Sequence, residues 1–169
     1  MTPYSNDHPY PSVWPLIADE LGAQAVEQEA ALTKLWDQQK KTGKVLVGDY
    51  VDYMNKTIMI HREQKLTKEQ FEHVLSAKIK YLDGIEEVFS MIRKRGYIIA
   101  IVSGGFSNQI DQMPGRKLVN EVRAACTYHF YEKSGLLKSW DLKEYDWHGK
   151  VDAFKEICRM YDINMRLDS

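Results

Sequence analysis

The residues whose types and spacing could do chemistry are Ser103-Gly104-Gly105 and Lys150. The serine and two glycines follow the continuous apolar run Tyr97-Ile-Ile-Ala-Ile-Val102, which reads as a strand buried on both faces of a parallel sheet. A hydroxyl and flexible backbone amides then fall at the carboxyl edge of that sheet, where open α/β folds bind ligands. Glycines let the backbone approach an oxyanion, and the N–H groups of a following helix add to the attraction. Lys150 comes after Trp147-His148-Gly149, at the head of the last predicted helix, where an ammonium could neutralise phosphate charge at the same edge. Each feature also has a plainer reading. The tripeptide could be a simple strand-to-loop turn, and Lys150 a solvated surface lysine.

Other motifs are excluded by their chemistry. Thr42-Gly43-Lys44 lacks the preceding glycine and following Ser/Thr of a phosphate-binding P-loop. The five histidines (8, 61, 73, 129 and 148) have neither H-E-x-x-H nor zinc-finger spacing. Cys126 and Cys158 are too few for a disulfide framework and carry no sign of nucleophilic activation, which suits a reducing compartment. Trp14, Trp36, Trp140 and Trp147 read as packing residues rather than a platform for bases.

The elements that must position the edge fall into two blocks. After an irregular lead-in (1–12), helical spacing runs from about 13 to 80. Val13/Trp14, Ile17 and Leu21 come before a stop at Gly22; Ala25, Leu32, Leu35 and Trp36 follow, then Tyr50, Met54, Ile58 and His61. The capping box Thr67-Lys-Glu-Gln70 opens a fourth helix with the stripe Phe71, Val74 and Leu75. From about 81 the character changes. Asp83 and Glu86 start a helix with the face Ile85, Val88, Phe89 and Ile92, closed by Lys94-Arg95-Gly96. After the 97–102 strand come a helix broken at Pro114-Gly115 and another around Leu118, Val119 and Val122. A hairpin then flanks Glu132-Lys-Ser-Gly135, and the final helix carries Val151, Phe154, Ile157 and Cys158.

Composition adds limits. With 44% hydrophobic and 28% charged residues over 169 positions, the chain is an ordinary globular mixture able to build a core. A formal charge of −1 gives no drive toward nucleic acid or an anionic membrane. No apolar run approaches a membrane span, and the polar N-terminus does not suit a signal peptide, so a cytoplasmic location is expected. The Asn55-Lys56-Thr57 sequon is then incidental.

Residues 84–106, with Arg95-Gly96-Tyr97 leading into the apolar strand and Ser-Gly-Gly, resemble the haloacid-dehalogenase-type (HAD) phosphatases of the phosphoserine-phosphatase-like group. Residues 149–163, Gly-Lys-Val-Asp-Ala-Phe-Lys-Glu-Ile-Cys-Arg-Met-Tyr-Asp-Ile, are similar to the segment that brings that family's lysine to the phosphate. Trp14-Pro-Leu-Ile-Ala-Asp-Glu-Leu-Gly22 resembles the start of its cap. The resemblance implies an α/β fold: a HAD-like Rossmannoid core over 81–169, lacking its first and fourth strands, with an inserted α-helical cap over 13–80. It implies that Ser103 binds phosphate through its hydroxyl and Gly104 through its amide, with Gly105 beside them, and that Lys150 stabilises the transferring phosphoryl group. For recognition of the rest of the substrate it points weakly to Glu20 and to Lys56 or Arg62.

The resemblance also implies what is missing. The family's Asp-x-Asp-x-Thr nucleophile motif should end about where Met1-Thr2-Pro3-Tyr4 begins, and Asp7 reads as a solvated loop residue. The family's Mg²⁺-binding Gly-Asp strand should follow Asn164-Met-Arg-Leu-Asp-Ser169, where Asp168 comes too soon to serve. The expectation is a chain that neither hydrolyses phosphate esters alone nor holds Mg²⁺ tightly, with no metal ligand of its own. Its ligand would be a small phosphorylated metabolite or inorganic phosphate. The bare edge of strand 97–102 would favour self-association. The alternatives are a non-catalytic anion-binding or protein-interaction module, or a truncated product with no separate function.

Overall fold

The computed structural model describes residues 12–146 and 148–163. Thr2, Asp7, His8, Trp147 and Asp168, all weighed above, lie outside the described residues. The chain opens with three helices, α1 (Val13–Leu21), α2 (Ala23–Lys41) and α3 (Val47–Glu63), then α4 (Lys68–His73), which continues into a π-helical turn over Val74–Lys78. Helix α5 (Ile85–Lys94) leads to strand β1 (Ala100–Phe106), the short helix α6 (Ser107–Asp111) and a 3₁₀ turn at Arg116–Leu118. Strands β2 (Glu121–Phe130) and β3 (Leu137–Leu142) come before α7 (His148–Met160).

The start of α4 follows from its sequence. Thr67 Oγ1 accepts from the Gln70 amide at 3.2 Å, and Gln70 Oε1 accepts from the Thr67 amide at 3.0 Å, so two otherwise unpaired donors are satisfied reciprocally. The hairpin also forms where the Glu132–Gly135 turn predicts it, with β2 and β3 antiparallel. The sheet order is β1-β2-β3, with β1 and β2 parallel.

Four expectations are corrected. The apolar run does not become a strand at once: β1 starts at Ala100 and runs through Ser103-Gly104-Gly105 to Phe106, with a register shift between Ser103 and Phe106. It is not buried on both faces, because Ala100 is exposed and residues 101–105 are half-buried. The helix expected around Leu118, Val119 and Val122 is a single 3₁₀ turn followed by β2, in which Val122 pairs with Ile101. Parallel pairing with β1 satisfies the backbone and overrides the local helical spacing. Finally, the apolar stripes of α5 and α7 form helices but remain largely uncovered. No residue of α5 is buried, and α7 buries Ala153, Ile157 and Cys158 while leaving Val151 and Phe154 exposed.

Period-2 alternation sorts the sheet's side chains onto two faces. One face carries Phe106, Cys126 and Tyr128, which join Val13, Leu16, Ile17, Ile58, Leu66, Phe71, Val74, Leu75 and Leu137 in the main core. That core crosses from the helical block into the sheet. The rings of Trp14, Phe71, Phe106 and Tyr128 fill it, with Trp14–Phe106 centroids 4.3 Å apart and Phe106–Tyr128 edge-on at 4.8 Å. On the opposite face Val102, Ala125, Tyr145 and Ala153 form a smaller cluster under α7. Among the described residues no helix is long and apolar enough to cross a membrane.

Candidate functional site

The carboxyl end of β1 opens into a cleft of about 760 Å³ between the sheet and the first three helices. Ser103, Gly104 and Gly105 line it together with Trp14, Glu29, Tyr50 and Tyr53 from the first three helices and with Ile85, Phe89 and Ile101. The expected phosphate-binding tripeptide therefore faces open space at the ligand-binding edge of the sheet.

Local hydrogen bonds fix the tripeptide. The Gly105 amide donates to Ser103 Oγ at 3.1 Å, which orients the hydroxyl and leaves its proton available to a ligand oxygen. Trp14 Nε1 donates to the Gly104 carbonyl at 3.4 Å, tying the first helix to the wall. Tyr81, half-buried at the cleft's edge, donates to the Gln109 carbonyl at 2.8 Å, and burial raises its pKa.

Asp146 is the residue that sequence reasoning missed. It sits in the loop between β3 and α7, with its carboxylate against Gly104: a Cβ on Gly104 would lie 2.7 Å from Asp146 Cγ, so only glycine admits this approach. The Tyr50 hydroxyl donates to Asp146 Oδ2, linking α3 to the sheet edge. Lys150 Nζ stands 4.0 Å from Asp146 Oδ1, one helical turn further on. Burial raises the Asp146 pKa, and the Lys150 charge offsets part of that rise. The i,i+4 spacing to Lys150 was the available signal, but nothing in the sequence placed that loop against Gly104.

The turn that holds this loop is built by Glu144, whose carboxylate accepts from the Asp146 and Gly149 amides, both at 2.6 Å. Gly149 packs so closely on residue 144 that a Cβ would sit 2.7 Å from the Glu144 carbonyl carbon. Lys150 thereby stands on the first turn of α7 beside Asp146, which lines the cleft, but does not line it itself, and its side chain is 47% exposed.

The weaker recognition residues lie elsewhere. Glu20 pairs with Lys78 and His73, each at 2.9 Å, in a network that ties α1 to the π turn. Burial alone would raise its pKa, but the Lys78 and His73 hydrogen bonds prevail and hold it below the ordinary carboxylate value. Lys56 and Arg62 are exposed on α3, and none of the three lines the cleft. Cys126 and Cys158 are buried thiols, and burial pushes Cys126 far above the range of a reactive thiolate.

Among the described residues no three His, Cys, Asp or Glu side chains converge as a metal-holding group. A hard cation needs several oxygen ligands at one point, so the residues described do not fit Mg²⁺.

The arrangement is similar to known structures. A HAD family hydrolase from Salmonella enterica subsp. enterica serovar Typhi superposes with a TM-score of 0.64 at 18% identity, covering 90% of this chain and 48% of that one. A probable phosphoserine phosphatase from Vibrio cholerae, in unliganded form, superposes with a TM-score of 0.62 at 15% identity, covering 90% of this chain and 43% of that one. The chain thus has a HAD-like, phosphoserine-phosphatase-like fold, in which helices pack on a three-stranded mixed sheet. It spans about half the length of these neighbours. No family model and no curated protein matches the sequence.

Proposed function

We propose that this chain forms the phosphate-binding edge and helical cap of a HAD-type phosphomonoesterase acting on a small phosphorylated metabolite. The observation that carries the reading is the cleft at the carboxyl end of β1, lined by Ser103, Gly104, Gly105 and Asp146, with Lys150 Nζ 4.0 Å from the Asp146 carboxylate. In this reading the Ser103 hydroxyl and Gly104 amide donate to phosphate oxygens, Gly105 orients the hydroxyl, and Lys150 supplies positive charge. Helices within 13–80 cover the cleft and exclude water, while residues from 81 onward supply the sheet edge. Magnesium would serve that family's chemistry, but no metal-holding group converges among the described residues, and on this reading the chain alone does not turn over phosphate esters.

Calorimetric titration with inorganic phosphate tests the reading. Ser103→Ala should weaken binding about tenfold, the worth of one hydrogen bond to a charged group. Lys150→Ala should weaken it about threefold, because its charge is solvent-screened. Asp146→Asn should strengthen it several-fold, since the carboxylate repels an incoming anion from Gly104. Unchanged affinity in all three variants would overturn the site. Mg²⁺-dependent hydrolysis of a phosphate ester, lost in Ser103→Ala, would overturn the assignment of no turnover.

A second reading rests on a different observation. Val88, Met91, Tyr97, Val151 and Phe154 are all exposed on α5, α7 and the approach to β1. These uncovered apolar side chains suit self-association or a protein partner, and sedimentation across micromolar concentrations tests it. A strict monomer would remove the self-association form of this reading.

A further inference from the structure

The cleft's lining is unusual for a site that binds only an anion. Beside the tripeptide it presents the carboxylates Glu29 and Asp146 and the rings of Trp14, Tyr50 and Tyr53, and no lysine, arginine or histidine lines it among the described residues. Aromatic faces and carboxylates both attract cations.

Glu29 is fixed from behind by a buried relay. Its Oε1 lies 2.5 Å from His61 Nε2, and His61 Nδ1 lies 2.6 Å from the Tyr128 hydroxyl. Both His61 and Tyr128 are buried, and burial holds Tyr128 as a phenol by raising its pKa well above the ordinary value. His61 thus bridges the buried Tyr128 hydroxyl and the Glu29 carboxylate through its two ring nitrogens. That bridge fixes the position of the carboxylate at the cleft. The rings are fixed as well. Tyr53 stacks on Trp36 at 5.1 Å and 14°, Tyr50 lies 6.4 Å from Tyr53, and the Tyr50 hydroxyl is held by Asp146.

We propose that the helical wall of the cleft binds an alkylated ammonium group, seated on Trp14, Tyr50 and Tyr53 and countered by Glu29. A methylated ammonium suits this lining better than a primary one. It has few or no N–H groups to satisfy, and Val13, Met54, Ile110 and Met113 offer its methyl groups apolar contact. With the anion at Ser103 and Gly104, the ligand class becomes a phosphorylated alkylamine. That extension rests on the phosphate reading above, whereas the ammonium subsite stands on its own residues.

The test titrates the full chain with choline, with its neutral isostere 3,3-dimethylbutan-1-ol and, separately, with inorganic phosphate, followed by calorimetry. Choline should bind about tenfold more tightly than the uncharged isostere, the preference expected of a desolvated cation on aromatic faces. Glu29→Gln should remove most of that preference. Because this change also touches the buried relay, Tyr53→Leu provides a second variant that leaves Glu29 and His61 in place. It should weaken choline about fivefold while leaving the isostere unchanged. Equal binding of choline and isostere, or no binding of choline by folded protein, would overturn the proposal. Phosphate binding without choline binding sinks the ammonium subsite alone, and choline binding without phosphate binding sinks the phosphate reading alone.

Discussion

Two regions of the molecule are finished to different degrees. Under the first helices, Ile17, Ile58, Phe71 and Phe106 are sealed in one core shared by helices and strands. Around α5, α7 and the start of β1, equally apolar side chains stay in solvent, with Val88 52% and Phe154 54% exposed. Helix α5 has one of the clearest amphipathic patterns in the chain, yet it buries nothing completely. The difference teaches that an apolar stripe specifies a helix and a direction to face, but burial requires a second surface to arrive there.

Substitutions can break or sharpen this contrast. The largest effect should come from Phe106→Ala, where a sealed ring is lost and a cavity remains. Urea denaturation should show a loss of about 3–5 kcal/mol. His61→Leu should cost about 1–3 kcal/mol, because the buried Tyr128 hydroxyl loses its partner. Adding Tyr128→Phe to that variant should restore part of the loss, whereas no recovery would show that His61 matters by packing alone. Thr67→Ala removes the cap of α4 and should cost about 1 kcal/mol.

A pH prediction concerns the cleft rather than the core. Burial raises Asp146 above its ordinary value of 3.8, so the folded chain holds that proton to higher pH than the unfolded chain does. Its contribution to stability is therefore complete below about pH 4 and is lost as pH rises through the folded value. Asp146→Asn should flatten this part of the stability–pH curve in thermal melts. A curve unchanged by the substitution would contradict the burial assigned to the carboxylate.

The smallest stability change belongs to the uncovered helices. Val88→Ser and Phe154→Ser should each shift stability by less than about 0.5 kcal/mol, as exposed positions do. If that surface self-associates, the same two changes should nonetheless shift the sedimentation equilibrium toward monomer. A loss near that of Phe106→Ala would erase the distinction between the two regions.

The sequence by itself determined the local devices of this protein. The Thr67–Gln70 box, the Glu132–Gly135 turn and the helical spacing over 13–80 act through neighbours a few residues away, so their outcome is written in adjacent positions. The placement of Ser103-Gly104-Gly105 beside the cleft and of Lys150 on the first turn of α7 was legible for a related reason: small residues closing an apolar run, and a cation at a helix start, each have a local signature. Tertiary structure alone decided the rest. Val122 joined a strand because β1 lay beside it, and Val151 and Phe154 stayed exposed because nothing described packs over them. Asp146 reached Gly104, and His61 reached both Glu29 and Tyr128, across 42, 32 and 67 positions of chain. Contacts over such separations depend on how helices and strands settle against one another, and no short window of sequence contains that information.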